Sequence, residues 1–361
     1  RFCLEERRRL DNGRSGTPFA CPPMAAPRTI VTVAAALIWL GAGGDLHAGD
    51  QDCEAVAAKI AAQRSDPAPA SSSAARLQPT DPRVVYWVDP RRSFAELRRW
   101  GPVRQSAGPN AELADVDAPG IPGADGDHTL SRVADPLDPR KMAFRHRISP
   151  AFPSWLDGTW RSEITANWSD DGSNVVRGAD YWVGYAVKFD KDILAADSGE
   201  ASLLDFHVVP DADDRNLTSP FHLYINNGAL RIQSLSNPNA VTDARDSVQR
   251  ILWREEKLGS DVWHYFVIKV RFHWDERKRP YLRIWKARGK GPLKRIVDHA
   301  GPNAYNDEAC YLPQKFGLYR WDPFSGETTR TVYTKGLYVL RDQPGSPRLN
   351  ARSLLALLRS I

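Results

Sequence analysis

A short segment near the C-terminal end combines residue types that could act on an anionic substrate. In Gln314–Trp321, the residues Lys315, Gly317 and Tyr319 alternate with apolar positions. Side chains of a β-strand alternate between its two faces, so these three would share one face while their neighbours point to a core. A lysine there could hold an anion, a glycine could let a ligand approach the backbone, and a tyrosine could move a proton. The segment therefore predicts the floor of a site for an acidic polymer.

A second alternating segment places an arginine beside a glutamate. Arg161 and Glu163 lie on the face opposite to Trp160 and Ile164. Glu163 could orient Arg161 and leave the rest of its guanidinium to grip a carboxylate bidentately. An exposed salt bridge between strand neighbours explains the same pattern.

A third segment carries an acid and a histidine. In Leu203–Val208, Asp205 and His207 fall on the face opposite to the apolar row. A histidine beside a carboxylate can be held in one tautomer and act as a base. A structural, hydrogen-bonded histidine is the alternative.

Together the three segments match the needs of β-elimination on a uronic acid polymer. The proton at C5 is weakly acidic because the adjacent carboxylate is negative, so a cation must neutralise that carboxylate. A base must then take the proton, and an acid must protonate the departing glycosidic oxygen. Arg161 suits the first role, His207 the second and Tyr319 the third. Tyr319 could also be the base if Arg161 and Lys315 lower its pKa.

The chain resembles the jelly-roll polysaccharide lyases, namely the heparin lyase I and glucuronan lyase group and, more distantly, the alginate lyases. The resemblance covers residues 142–340. It rests on Arg161–Glu163, on the strand ending in His207, on Tyr181–Gly184 and above all on Lys315–Tyr319. It implies a jelly roll of two curved antiparallel sheets with a substrate cleft on the concave face. It also implies a substrate contact for the lysine of the last motif.

Two positions depart from the alginate lyase pattern. Thr165 stands where those enzymes carry a second arginine, and Asp205 stands where they carry a glutamine. An ionised aspartate would repel a substrate carboxylate, which disfavours alginate as the substrate. We expect five further residues to contact substrate: Glu163, Asp205, Arg320, Trp321 and Trp182.

The pattern outside these motifs predicts an all-β protein. Alternating or apolar segments predict strands at 84–88, 142–148, 160–164, 181–189, 203–209, 221–225, 229–235, 261–274, 280–286, 314–321 and 331–340. Asn226-Asn227-Gly228 predicts a hairpin turn between two of them. Helices are expected at 50–63 and 353–361, with a helical turn at 93–100 that begins at Ser93 as N-cap. Residues 101–139 read as a long loop rich in Gly, Pro and Asp. About ten strands separated by turns favour an antiparallel β-sandwich.

Five segments are expected along the chain. They are an upstream segment foreign to the protein (1–23), a signal peptide (24–48), an N-terminal segment with a Pro/Ala/Ser-rich linker (49–83), the jelly-roll domain (84–345) and a C-terminal tail (346–361). The signal peptide is predicted from a basic start, the apolar run Ile30–Leu40 and a cleavage site near Ala48. A membrane anchor is the alternative, but the run is shorter than the ~20 residues that span a bilayer.

Cysteine usage and charge complete the expectations. Cys53 and Cys310 would remain after cleavage and could form one disulfide or stay free thiols. The formal net charge is +5, of which +2 belongs to residues 1–23, so no nucleic-acid partner is expected. We expect a secreted or periplasmic monomer that binds an anionic polysaccharide, without stable membrane insertion. No cofactor is expected, although Asp211–Asp214 could hold a structural Ca²⁺.

Two other functions fit parts of the sequence. A glycoside hydrolase on a similar sandwich would need two carboxylates flanking the scissile bond, and the strands lack a Glu-x-Asp-x-x-Glu motif. A non-catalytic carbohydrate-binding domain would keep the aromatic and cationic residues but would not need His207 together with Tyr319.

Overall fold

The computed structural model describes residues 53–63, 80–92, 103–105, 130–150, 159–166, 172–194, 199–215, 217–321, 329–343 and 349–361. The segments expected at 1–23 and 24–48 and the helical turn expected at 93–100 lie outside the described residues. All that follows concerns the unit His47–Ile361. None of the helices in the described ranges is long and apolar enough to cross a membrane.

Two large antiparallel sheets make up the fold. Sheet A contains β1 (Val84–Val88), β3 (Leu130–Asp135), β4 (Asp138–Ile148), β7 (Asp180–Phe189), β12 (His264–Arg271), β13 (Tyr281–Arg288), β14 (Lys294–Ala300) and β17 (Arg330–Arg341). Its order is β14-β13-β12-β7-β17-β4-β3. The long strand β17 pairs with β4 through its first half and with β1 through its second half.

Sheet B carries the three motifs. It contains β2 (Val103–Gln105), β5 (Trp160–Thr165), β8 (Glu200–Phe206), β9 (Phe221–Asn226), β10 (Ala229–Ser236), β11 (Val248–Glu255) and β16 (Gln314–Arg320). Its order is β11-β10-β9-β8-β16-β5-β2, so β16 lies between β5 and β8. A small pair, β6 (Val175–Val176) with β15 (Tyr311–Leu312), lies outside both sheets.

The fold is an all-β jelly-roll sandwich. The alternation of polar and apolar residues predicts the antiparallel sandwich, and the family resemblance implies the jelly roll. The inward residues of both sheets form one buried core. Phe316 of sheet B lies 6.4 Å from Phe144 and 6.3 Å from Tyr185 of sheet A, measured between ring centroids. The Tyr185 hydroxyl donates a hydrogen bond to the Leu203 carbonyl oxygen at 3.0 Å and so joins the two sheets.

The hairpin between β9 and β10 closes with the turn that the sequence predicts. Asn227 and Gly228 adopt positive φ values of 51° and 71°, and Asn226 pairs with Ala229 across the turn. Asparagine and glycine tolerate this backbone conformation, which fits the twist of antiparallel strands.

Helices are few. The described residues contain α1 (Cys53–Gln63), the short α2 (Lys191–Leu194) and α3 (Ala351–Ser360), besides two 3-10 turns. The Asn350 side chain begins α3 by accepting hydrogen bonds from the Arg352 and Ser353 amides at 3.0 Å. Leu354 and Leu358 of α3 are buried in a second apolar cluster with Trp182 and Tyr338 of sheet A. The helix therefore covers the face of sheet A that points away from the core.

The prediction that residues 101–139 form a loop is wrong in part. It contains β2 and β3, and Asp135 and Asp138 close a tight turn between β3 and β4. Strands β11 and β14 were not expected either. All four of these strands are edges of the two sheets. Edge strands are partly open to solvent, so their sequences need not alternate clearly.

A disulfide joins Cys53 of α1 to Cys310, just before β15. The two cysteines are 257 residues apart in the sequence. The bond therefore ties the N-terminal helix to the segment that leads into β16.

Candidate active site

The site face is the face of sheet B that points away from the core. On β16, Phe316 and Leu318 are buried in the core, and Tyr319 lies on the site face. Arg161 of β5 is directly opposite Tyr319 in the strand register. The Arg161 guanidinium carbon lies 4.0 Å from the centre of the Tyr319 ring, a cation–π contact.

Glu163 holds Arg161 in place, as expected. The Arg161 Nη1 donates to Glu163 Oε2 at 3.3 Å, and its Nε donates to Thr159 Oγ1 at 3.1 Å. The Arg161 and Glu163 residues are only 7% and 2% exposed. The pair is therefore not an exposed surface salt bridge. A buried guanidinium needs partners for its charge and its N–H groups, and Glu163 and Thr159 supply them.

Lys315 and Asp205 form a second buried pair on the site face. Lys315 Nζ lies 3.6 Å from Asp205 Oδ1. Ser202 Oγ donates to Asp205 Oδ2 at 3.2 Å. Lys315 Nζ is also 5.8 Å from the centre of the Tyr319 ring. The positive charge of Lys315 compensates Asp205, which weakens the repulsion that an aspartate would otherwise exert on a bound carboxylate.

His207 follows the last residue of β8 and is half-buried. Its amide donates to the Pro313 carbonyl oxygen at 2.8 Å, which anchors it beside the start of β16. His207 Nδ1 lies 2.8 Å from the Val208 carbonyl oxygen and 3.0 Å from the Val208 amide nitrogen. In the tautomer with the proton on Nδ1, the ring donates to that carbonyl oxygen, and the lone pair that can accept a proton is on Nε2.

His222 is a site residue that sequence reasoning missed. It lies on β9 directly opposite Asp205. Its ring stacks on Tyr224 with centroids 4.7 Å apart and lies 5.7 Å from the ring of Trp321. Trp321 in turn lies 5.4 Å from Tyr319. The segment Phe221–Ile225 alternates core and polar aromatic residues, so the rule that singled out the other motifs could have found it.

Burial dominates the electrostatics of His222. The removal of water lowers the pKa of its imidazole to about 3, and the positive charge of Lys315 adds to that effect. The ring is therefore neutral near pH 7. A neutral imidazole has one N–H donor and one acceptor nitrogen.

Gly317 has a different role from the expected one. Its φ of 135° is a conformation that favours glycine, and it lies where β16 bulges against β8. A Cβ atom built there would lie 2.2 Å from the Ser162 carbonyl oxygen and 2.7 Å from His146 Nδ1. His146 is buried in the core, which lowers its pKa to about 4. Close packing inside the sandwich therefore explains the glycine at this position. The expected approach of a ligand to the backbone does not.

Two predicted substrate contacts are absent from the site face. Trp182 belongs to β7 of sheet A, where its neighbours Tyr181 and Val183 point into the core. It packs in the cluster beneath α3 and stacks on Trp285 at 5.8 Å. Arg320 is 2% exposed and follows Tyr319, so it points to the other side of β16. Alternation gives the face of a strand but not the sheet that holds it, which is why the Trp182 prediction is wrong.

One cluster of carboxylates could hold a cation. Ligand atoms of Asp211, Asp214 and Asp307 all lie within 4.8 Å of one another. Asp307 is 7% exposed, and its Oδ1 has no hydrogen-bond partner. Burial raises the pKa of Asp307 to about 7 and that of Asp211 to about 6. Carboxylate oxygens suit hard cations such as Ca²⁺, and sequence reasoning found two of these three residues.

The chain belongs to the polysaccharide lyase family. The family model described as "Polysaccharide lyase" matches residues 122–337, which include every member of the site face described above. The protein is therefore a polysaccharide lyase, an enzyme that acts on polysaccharides. The alternatives of a non-catalytic binding domain and of a glycoside hydrolase are set aside by this match.

Solved structures similar to this chain include two kinds of carbohydrate-active enzyme. An endo-β-1,4-glucuronan lyase from the fungus Trichoderma reesei is 17% identical, with 68% of this chain and 92% of that chain covered and a TM-score of 0.49. Alginate lyase A1-II′ is 14% identical, with 70% and 99% covered and a TM-score of 0.43. The catalytic domain of a glycoside hydrolase family 131 protein from Coprinopsis cinerea is 13% identical, with 74% and 98% covered and a TM-score of 0.45. No curated protein matches the chain.

Proposed function

We propose that this polysaccharide lyase is exported and cleaves a uronic-acid-containing polysaccharide by β-elimination. One observation carries the proposal: the buried Arg161 guanidinium lies 4.0 Å over the Tyr319 ring. A fixed cation is thereby held beside a phenol that can move a proton. Lys315 Nζ lies 5.8 Å from the centre of the same ring. A bound sugar carboxylate would meet positive charge next to the proton-transfer group.

The proposed reaction has three coupled parts. Arg161 neutralises the uronate carboxylate and so stabilises the enolate-like transition state. His207 takes the proton from C5, and the electron pair of the broken C5–H bond forms the C4–C5 double bond. The bond from C4 to the glycosidic oxygen breaks, and Tyr319 gives that oxygen a proton. The products are a chain with a new reducing end and a chain that ends in an unsaturated uronate.

The base has a second candidate. Tyr319 could take the C5 proton itself, because the cations Arg161 and Lys315 stabilise a phenolate. Replacing His207 by Ala separates the two assignments. If His207 is the base, the rate should fall about 10²- to 10⁴-fold. A change of only a few-fold would transfer the role to Tyr319.

A substrate panel tests the proposed function. Glucuronan, alginate, hyaluronan and heparin are mixed with the enzyme, and ultraviolet absorbance is followed, because elimination leaves a conjugated double bond and hydrolysis does not. We expect absorbance to rise with at least one uronan and not with the same polymer after reduction of its carboxylates to alcohols. New reducing ends without absorbance would overturn elimination.

Export and a monomeric state are part of the same proposal. The disulfide between Cys53 and Cys310 supports an oxidising compartment, where such bonds persist. Fractionation of a host that expresses the full gene should recover the enzyme outside the cytoplasm, with the two cysteines protected from alkylation. A free thiol at Cys310 in the recovered enzyme would contradict this part.

We also propose that Asp211, Asp214 and Asp307 hold a structural Ca²⁺. Asp211 and Asp214 follow β8, and Asp307 precedes β15, so a cation there would join the segments next to His207 and β16. The unpartnered Oδ1 of the buried Asp307 supports this proposal. Arg177 attracts Asp211 and Asp307 electrostatically and is the competing source of positive charge.

A further inference from the structure

The ring of His222 is largely buried but makes no hydrogen bond to the described residues. The residue is only 7% exposed. No hydrogen bond joins either ring nitrogen to another of the described residues. Neither nitrogen belongs to the fully buried atoms that lack a partner, so the edge of the ring stays open although the residue is packed. An imidazole edge of this kind is available to a partner from outside the chain that replaces solvent there.

The residues around His222 show that such a partner would bind on the site face. Phe221, Leu223 and Ile225 fill the core, so His222 and Tyr224 point to the site face. A continuous set of contacts joins the ring to the proposed reaction centre. It runs from His222 to Trp321 and from Trp321 to Tyr319, with centroid distances of 5.7 and 5.4 Å.

Stacking fixes the orientation of the imidazole. Its plane lies within 19° of the Tyr224 ring at 4.7 Å and within 34° of the Trp321 ring. The Tyr224 hydroxyl is in turn fixed by Gln233 Oε1, to which it donates at 3.1 Å. The ring edge, where the nitrogens lie, is therefore oriented before a ligand arrives, which reduces the entropy lost on binding.

The charges around His222 decide what it can do. Asp205 faces it across the strand pair, and Lys315 neutralises Asp205. Burial and Lys315 hold its pKa near 3, so the ring stays neutral across the range in which enzymes work. A group with that pKa is a weak base for a carbon acid, because an efficient base has a pKa near the working pH. Its neutral N–H remains a good donor to an anion.

We propose that His222 is a substrate-contacting residue whose ring N–H donates a hydrogen bond to the carboxylate of an acidic sugar bound on the site face. This inference rests on the proposed function, because it takes the ligand to be a uronate. The Asp205 carboxylate is engaged by Lys315 and accepts a hydrogen bond from Ser202. His222, directly opposite on the next strand, supplies the neutral donor instead.

Three substitutions test the contact. His222→Phe keeps the stacked ring and its approximate volume but removes both nitrogens. His222→Gln keeps a neutral N–H donor and cannot act as an imidazole base. His299→Phe is the matched control, because His299 lies on β14 of sheet A, away from the site face.

Affinity for a short oligouronate is measured by calorimetry, with Tyr319→Phe as a common background that prevents turnover. We expect His222→Phe to weaken binding about 10- to 100-fold, the usual worth of a hydrogen bond to a charged group. His222→Gln should recover most of that affinity, and His299→Phe should not change it. For a carboxyl-reduced oligosaccharide, His222→Phe should bind as the parent does.

Two outcomes would overturn the proposal. The first is an affinity for the oligouronate that His222→Phe leaves within twofold of the parent. The second is an affinity for the carboxyl-reduced oligosaccharide that His222→Phe weakens as much as the affinity for the oligouronate, which would mean that the ring does not act on the carboxylate. An enzyme that binds the oligouronate but forms no unsaturated product would overturn the elimination reaction while the affinity test of His222 still stands.

Discussion

The outer face of sheet A and the site face of sheet B bury charged residues in opposite ways. On sheet A, α3 and an apolar cluster cover the face, and the buried Lys335 and Asp135 there pair with each other. Lys335 contacts the Asp135 carboxylate and donates to the Ile361 carbonyl oxygen at 3.1 Å. Asp135 also accepts hydrogen bonds from Trp263 Nε1 at 3.1 and 3.2 Å.

On the site face, the ionisable groups lie side by side, but some of their polar atoms have no hydrogen-bond partner among the described residues. His222 makes no hydrogen bond to the described chain, and Asp205 Oδ1 has an ion pair without a hydrogen bond. Both faces hold residues that are more than nine-tenths buried. Burial alone therefore does not identify a site, and neither does an unmade hydrogen bond, because Trp87 Nε1 and Trp182 Nε1 beneath α3 also lack a partner in the described part of the chain. What distinguishes the site face is that its incompletely paired groups are an imidazole and a carboxylate, on the face that carries Arg161 and Tyr319.

The largest effect should come from the phenol on the site face. Tyr319→Phe should lower turnover about 10²- to 10⁴-fold, because it removes the acid, with little change in stability or affinity. Tyr338→Phe is the counterpart on sheet A, where the hydroxyl donates to the Lys335 carbonyl oxygen at 2.9 Å. It should cost about 1 kcal/mol of stability and leave turnover unchanged. Ultraviolet assays and urea unfolding measure both, and full turnover in Tyr319→Phe would remove the tyrosine from the mechanism.

The next effect should be one of stability on sheet A. Asp135→Ala leaves the Lys335 ammonium buried without its carboxylate, which should cost about 3–5 kcal/mol of unfolding free energy. Turnover per folded molecule should stay the same, because the pair touches no part of the site face. A urea titration followed by an activity measurement at low denaturant tests the prediction. Lost turnover in a fully folded variant would mean that the two faces are coupled.

The interior of the fold was predictable from sequence, and its edges were not. Alternation found the strands that are buried on one or both faces, including β5, β8 and β16, which carry the motifs. It missed β2, β3, β11 and β14 at the edges of the two sheets, where solvent reduces the pressure for apolar residues, and the two-residue strands β6 and β15. It placed Arg161 and Tyr319 on corresponding faces because their strands pair directly.

The limits at the site have physical causes too. Trp182 was misplaced because period-2 alternation cannot say which sheet a strand joins. The bulge at Gly317 depends on His146, which is distant in sequence and packs against it only in the folded sandwich. His222 was visible in the alternation of β9, but its missing hydrogen bonds are a property of the fold.

The smallest expected effect concerns the carboxylates Asp211, Asp214 and Asp307. It tests whether a buried carboxylate without a hydrogen-bond partner marks a ligand site. Without a cation, burial raises the pKa of Asp307 in the folded protein from its ordinary value of 3.8 to about 7. A carboxyl group whose folded pKa is raised favours the folded state most when it is protonated. Its contribution is therefore full below about pH 4 and is lost as the pH rises towards 7.

If the cluster is a Ca²⁺ site, calcium should reverse that loss. At neutral pH, a concentration 100 times the dissociation constant should add about 2.7 kcal/mol of stability, visible as a melting temperature roughly 5–10 °C higher than in chelator. Asp307→Asn should be more stable than the wild type in chelator at pH 7, because it removes the buried charge, and should lose the response to calcium. Asp213→Asn, an exposed neighbour in the same loop, should behave as the wild type in both conditions. A melting temperature that calcium leaves unchanged in the wild type would mean that Arg177 and protonation alone compensate Asp307, and that an unpaired buried carboxylate here serves no ligand.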